Sequence, residues 1–128
     1  MQNKGLNYVL FPKRKYVRSK ALLEACRTIA CQHCGIEDGT VCAAHINWGG
    51  GKGKAVKADD NLVASLCFAC HSALDQGADM SKEERQEMWM KAHQRTVLIL
   101  LTTRKWPDKV PISALTESGH SFAHGIGA

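Results

Sequence analysis

Cys31-Gln32-His33-Cys34 and Cys67-Phe68-Ala69-Cys70-His71 decide how this chain reads. Each Cys-x-x-Cys pair bends into a tight turn that can present both thiolates to one ion. Tetrahedral Zn²⁺ takes four soft ligands, and two such turns supply them with little chain strain. Free core thiols account poorly for two identical spacings. Cys31, Cys34, Cys67 and Cys70 are therefore expected to hold a structural zinc. The stretch between the pairs is longer than in simple zinc ribbons, which implies a structured insert.

Within that insert, Gly35 follows Cys34 where a knuckle often needs positive φ, and Glu37-Asp38-Gly39 reads as a surface turn. Val41–Ile46 alternates as a short strand. Asp59-Asp60-Asn61 reads as a turn, with both aspartates capping it, and leads into Leu62–Leu66, a second strand pairing back on the first. His71–Gln76 is expected to be helical, with Gly77 as its C-cap. Residues i and i+4 share a helix face, so His71 and Asp75 could meet one ion through a nitrogen and an oxygen. That donor pair suits Mg²⁺, Mn²⁺ or a second Zn²⁺. Cys26 and Cys42 have no partner at ligand spacing and read as small buried hydrophobes.

Outside the cysteine-bounded segment, Ser19 is a fair N-cap for a helix carrying Leu22, Ala25, Cys26 and Ile29 at helical spacing. Ser81-Lys-Glu-Glu84 has the form of a capping box. Met88, Trp89, Ala92, Thr96, Leu100 and Leu101 then follow helical spacing, with Met88 and Trp89 in the core and His93 at the surface. Residues 1–18 read as a basic arm, 19–106 as one zinc-bound domain, and 107–128 as a loose tail. His120 and His124, four apart in that tail, have no helical setting that would make them a metal pair.

A chain of 128 residues with 45% hydrophobic content is expected to be a single globular domain. No apolar run approaches the ~20 residues of a membrane span. The opening Met-Gln-Asn-Lys-Gly lacks a hydrophobic signal region, so a cytoplasmic address in a bacterial host is expected, where thiols stay reduced. Seventeen Lys+Arg against twelve Asp+Glu leave a formal charge of +5, and the pI is near 9.0. The basic residues cluster. Lys13, Arg14 and Lys15 lie on the N-terminal arm, where a solvated helix entry and phosphate contact are equally open. Lys52, Lys54 and Lys57 lie in a glycine-rich loop that can follow a nucleic-acid backbone. The run Gly49-Gly50-Gly51-Lys52-Gly53-Lys54 lacks the Gly-Lys-Ser/Thr ending of a phosphate-binding loop, so no nucleotide cofactor is expected.

Taken together, the two Cys-x-x-Cys turns, the Ala44-His45-Ile46 strand, the Asn61-Leu62 strand start and the Cys70-His71 helix start resemble the HNH (ββα-metal) endonucleases. More narrowly, Lys57-Ala58-Asp59, Ala64-Ser-Leu-Cys67 and Leu74-Asp75-Gln76-Gly77 resemble small prophage-encoded HNH-like proteins associated with recombination. The resemblance covers roughly residues 25–100. It implies an α+β fold with a zinc-stabilised ββα-metal core and flanking helices. It also implies DNA phosphodiester hydrolysis leaving 5′-phosphate and 3′-hydroxyl ends.

By position, His45 would be the general base, His71 a ligand of a single catalytic ion, and Asp75 a second ligand one turn later. Asn61 would hold the loop that orients His45. One departure stands out. Many members place an acidic residue or histidine just before the base, whereas Ala44 cannot coordinate anything. Asp75 makes up that deficit, with Asp59 or Asp60 as lesser candidates behind their turn-capping role, or His45 turns to the metal itself, or catalysis is lost. A non-catalytic DNA-binding zinc module, an RNA nuclease and a protein-binding zinc adaptor therefore remain as rivals. Oligomeric state is left open.

Overall fold

Ser19 starts the first described helix as its spacing predicts. Its hydroxyl accepts a hydrogen bond from the Leu22 N–H, capping α1 (Lys20–Cys26). A computed structural model describes residues 16–48, 58–77 and 79–118. Lys13, Arg14, Lys15, Lys52, Lys54, Lys57, His120 and His124 lie outside the described residues, as do the assignments made for them. After α1 come β1 (Cys42–His45), β2 (Val63–Leu66), α2 (Phe68–Gln76), the long α3 (Lys82–Thr102) and the short α4 (Ala114–Ser118). The fold is α+β.

β1 and β2 pair antiparallel, with Cys42 opposite Leu66 and His45 opposite Val63. Every residue of β2 is buried, because helices pack around it. Ala64 and Leu66 join Trp89, Met88 and Leu74 in one apolar cluster. Val63 joins Leu22, Cys26, Val97 and Leu100 in another. Period-two alternation thus feeds two cores from one strand. Burial of a side chain such as Leu66 contributes roughly 1.5–3 kcal/mol.

A two-stranded sheet leaves β2 with an unpaired edge, a row of backbone groups that must find partners. Two polar side chains of α3 and one knuckle amide meet it. The Ser65 N–H donates to Thr96 Oγ1 at 2.9 Å, and His93 Nδ1 donates to the Val63 carbonyl at 2.7 Å. The Gln32 N–H donates to the Ser65 carbonyl at 2.8 Å. This overturns the surface placement of His93. The residue is fully buried, stacked on Trp89 with ring centroids 4.8 Å apart. Burial holds its pKa below the usual histidine value, against the opposing pull of the Val63 carbonyl.

α3 begins on Ser81 with the expected capping box, completed in both directions by Glu84. Its buried residues Met88, Trp89, Ala92, His93, Thr96, Val97 and Leu100 form one stripe along the helix. At the C-terminal end Arg104 takes φ 60°, a left-handed position that glycine usually fills. Around it the Arg104 N–H reaches the Leu101 carbonyl, and the Lys105 N–H reaches the Leu100 carbonyl.

The stretch after Pro107 is not loose as far as residue 118. Ser113 is buried and donates to His93 Nε2 at 2.8 Å. Asn61 Nδ2 donates to the Pro111 carbonyl at 2.9 Å. The sparse apolar content that suggested a tail is offset by these polar anchors, whose partners lie far away in sequence.

Candidate functional site

Local chain geometry builds the four-cysteine cluster. Gly35 adopts φ 84° as its position requires, and its N–H bonds the Cys31 carbonyl at 2.9 Å. The His33 and Cys34 amides point at Cys31 Sγ, at 3.5 and 3.4 Å. Cys67 caps α2, its sulfur accepting from the Cys70 amide at 3.5 Å. One donor atom from each of Cys31, Cys34, Cys67 and Cys70 lies within 4.8 Å of the other three. Among the described residues this is the one group of three or more His, Cys, Asp or Glu gathered so closely.

The donor chemistry fits zinc. Burial pushes the Cys31 thiol up, but the amides of Cys34, Cys67 and His33 outweigh it and bring it down to about 6. Cys70 is pushed up, first by burial and then by the neighbouring sulfurs. Four sulfurs this close cannot all ionise without a cation between them. These four cysteines could bind a zinc ion, and with four thiolates that site would carry a net charge of about −2.

A second site is assembled across the fold. Ala44, His45, Asn47 and Trp48 from β1 and its exit, His71, Leu74 and Asp75 from α2, and Lys82, Arg85, Gln86 and Trp89 from α3 line a cleft of about 200 Å³. Trp48 and Trp89 meet edge to face, with centroids 5.2 Å apart. Trp89 Nε1 donates to the Ala44 carbonyl at 2.9 Å, tying α3 to β1.

His71 Nε2 lies 3.6 Å from Asp75 Oδ2, as the i, i+4 spacing anticipates. His71 Nδ1 lies 3.3 Å from Cys42 Sγ. Cys42 is thus only half-buried and holds an imidazole, rather than serving as a plain core residue. Strand alternation alone gave no sign of this contact, because the partner is 29 residues away.

His45 points its Nε2 at Asp60 Oδ1, 2.9 Å away. The aspartates before Asn61 do more than cap a turn. Asp59 Oδ1 accepts from the Val17 N–H at 3.0 Å, and Asp60 Oδ2 accepts from the Ser19 N–H at 2.8 Å. Burial raises the Asp60 pKa, but the bonds from His45 and Ser19 overcome it and hold the carboxyl below its ordinary range. Asn61 makes its side-chain bond to Pro111, not to the residues around His45. Its buried Oδ1 has no hydrogen-bond partner among the described residues.

His45, His71 and Asp75 therefore share one cleft, but their donor atoms are not drawn together as the sulfurs are. Lys82 and Arg85 add two cationic groups that the sequence reading passed over. Their only local signal was a basic pair three apart in the first turns of α3. Among the described residues neither forms an ion pair. No helix among the described residues is long and apolar enough to cross a membrane. Comparison with protein-family models, curated proteins and solved structures finds no match to this chain.

Proposed function

We propose that the protein is a metal-dependent endonuclease of the HNH (ββα-metal) type, hydrolysing DNA phosphodiesters. One observation carries this reading: a histidine anchored on a buried carboxylate lines the same cleft as the His71–Asp75 pair, Lys82 and Arg85. The order β1, β2, α2, with His45 ending the first strand and His71 in the first turns of the helix, agrees with the motif resemblance.

In this reading His45 takes the proton of the attacking water. His71 and Asp75 would hold the catalytic ion, and the Cys42 contact at Nδ1 orients the His71 ring. Mg²⁺, Mn²⁺ or a second Zn²⁺ bound there would supply positive charge for a phosphate oxygen and the departing 3′ oxygen. Lys82 and Arg85 line the cleft and would favour an anionic phosphate there, although Arg85 Nη2 also donates to the Gly77 carbonyl, and the tryptophan pair walls one side. The four cysteines serve the scaffold. The family resemblance adds phage-related recombination or repair as the setting.

A second reading, DNA binding without cleavage, draws on a specific feature. Ala44 is buried at 1% exposure where many family members place a ligand, and the cleft donors are dispersed. Plasmid, single-stranded and branched DNA, incubated with Mg²⁺ or Mn²⁺, separate the two. Wild type is expected to cut, and His45→Ala to lose about 10²–10⁴-fold of the rate. Equal inertness of both proteins on every substrate, with retained DNA binding in a gel shift, replaces the nuclease with the binding module.

A further inference from the structure

We propose that Asp60 is a positioning residue that sets the tautomer of His45, keeping the proton on Nε2 and leaving Nδ1 as the basic nitrogen. The catalytic consequence rests on the nuclease reading above; the tautomer itself does not.

Asp60 is buried at 8% exposure, and each of its oxygens has its own partner. Oδ2 accepts from the Ser19 N–H at 2.8 Å, and Oδ1 faces His45 Nε2 at 2.9 Å. An ionised carboxylate only accepts hydrogen bonds, so Nε2 must be the donor. A neutral imidazole carries one N–H, so Nδ1 is left with the lone pair. The Ser19 amide is what makes the arrangement decisive. A backbone N–H cannot become an acceptor, and it sits at the N-cap of α1, where the chain is already committed.

Asparagine at position 60 would have one oxygen for two donors. The fixed Ser19 N–H claims that oxygen, because the opposite orientation sets NH₂ against N–H. The amide NH₂ then meets Nε2, which must present its lone pair, and the proton moves to Nδ1. In serine hydrolase triads the same Asp→Asn exchange preserves geometry, produces the wrong tautomer and costs about 10⁴ in kcat. The side chain of His45 is 36% exposed, so water alone would not impose a single tautomer.

The test uses the full chain labelled with ¹⁵N. Long-range ¹H–¹⁵N spectra, with His45 assigned by comparison with His45→Ala, read the tautomer directly. The expected result is Nε2–H in the wild type, Nδ1–H in Asp60→Asn, and a return to Nε2–H in Asp60→Glu. Plasmid cleavage by Asp60→Asn is expected to fall by about 10²–10⁴-fold, with partial recovery in Asp60→Glu. A neutral wild-type His45 protonated on Nδ1 and not on Nε2 overturns the proposal, and that readout does not depend on any Asp60 variant. So does an Asp60→Asn protein that keeps Nε2–H. A wild type with the expected tautomer and no cleavage removes the nuclease reading while the role of Asp60 in holding the ring stands.

Discussion

The four-cysteine cluster and the His45 cleft differ in how they are held. In the cluster, two turns, each spanning four residues, place their own sulfurs through amide contacts made inside the turn. The Gln32 N–H bond to the Ser65 carbonyl helps hold the first turn against β2, which leads into the second, so that four sulfurs lie within 4.8 Å. In the cleft, three elements contribute side chains that are kept in place by partners of their own: Asp60 for His45, Cys42 and Asp75 for His71. The first arrangement suits an ion that stays. The second keeps its polar groups apart around an open cleft, the arrangement on which the proposed nuclease reading rests.

The sharpest way to break this contrast is to damage each site and read stability. Structural zinc sites contribute folding free energy outright, about 10–16 kcal/mol in small zinc-finger peptides. Cys31→Ala, or a strong chelator, is expected to abolish the cooperative thermal transition followed by circular dichroism. His71→Ala, at a half-exposed position, should shift stability by no more than ~0.5–1 kcal/mol. Equal damage from both would erase the distinction between a scaffold cluster and a cleft that the fold does not need.

Trp89 links the two regions, since it belongs to the same apolar cluster as Cys31 and Cys67 and also lines the cleft. Trp89→Ala removes a fully buried ring and the bond to the Ala44 carbonyl, and should cost about 3–5 kcal/mol in urea unfolding. A cost near zero would mean that α3 is not clamped on β1 as described.

A smaller effect comes from pH. His93 has a lowered pKa in the folded protein, so the unfolded chain binds the extra proton first. Its penalty is absent above the unfolded value of about 6.5 and grows as pH falls toward the folded value. Urea unfolding at pH 7.5 and pH 5 should show stability lost on acidification, and His93→Gln, which cannot titrate, should flatten that dependence. Asp60 acts lower. Its folded pKa is depressed, so its contribution is complete above about pH 4 and is lost as pH falls through the folded value.

The smallest expected change is a gain. Arg104 occupies a left-handed C-cap position at φ 60°. Arg104→Gly should relieve backbone crowding and raise the melting midpoint by the equivalent of ~0.5–1 kcal/mol. It lies outside both sites, so metal binding and cleavage should not change with it.

Much of this was legible beforehand where the signal was local. Ser19 and Ser81 mark helix starts because a cap bonds within three residues. Gly35 marks the knuckle because the chain must turn there. The Cys-x-x-Cys spacing brings two thiolates together whatever the rest of the chain does. Local chemistry misled wherever a polar residue found a distant partner. His93 looked exposed beside Gln94 and Arg95, yet the unpaired edge of β2 and Ser113 give it both of its bonds. Cys42 looked inert because its imidazole partner is on α2. Residues 107–118 looked unanchored because their anchors are Asn61 and His93.

Sequence by itself therefore determined the capped helices and the two sulfur turns, since each depends on contacts that span a few residues. Tertiary structure alone decided which nitrogen of His45 is bound, which cationic groups face the cleft, and how a two-stranded sheet hides its edge. Hydrogen bonds across 15 and 30 residues set the first and the last of these, and only the packed chain brings such partners within reach.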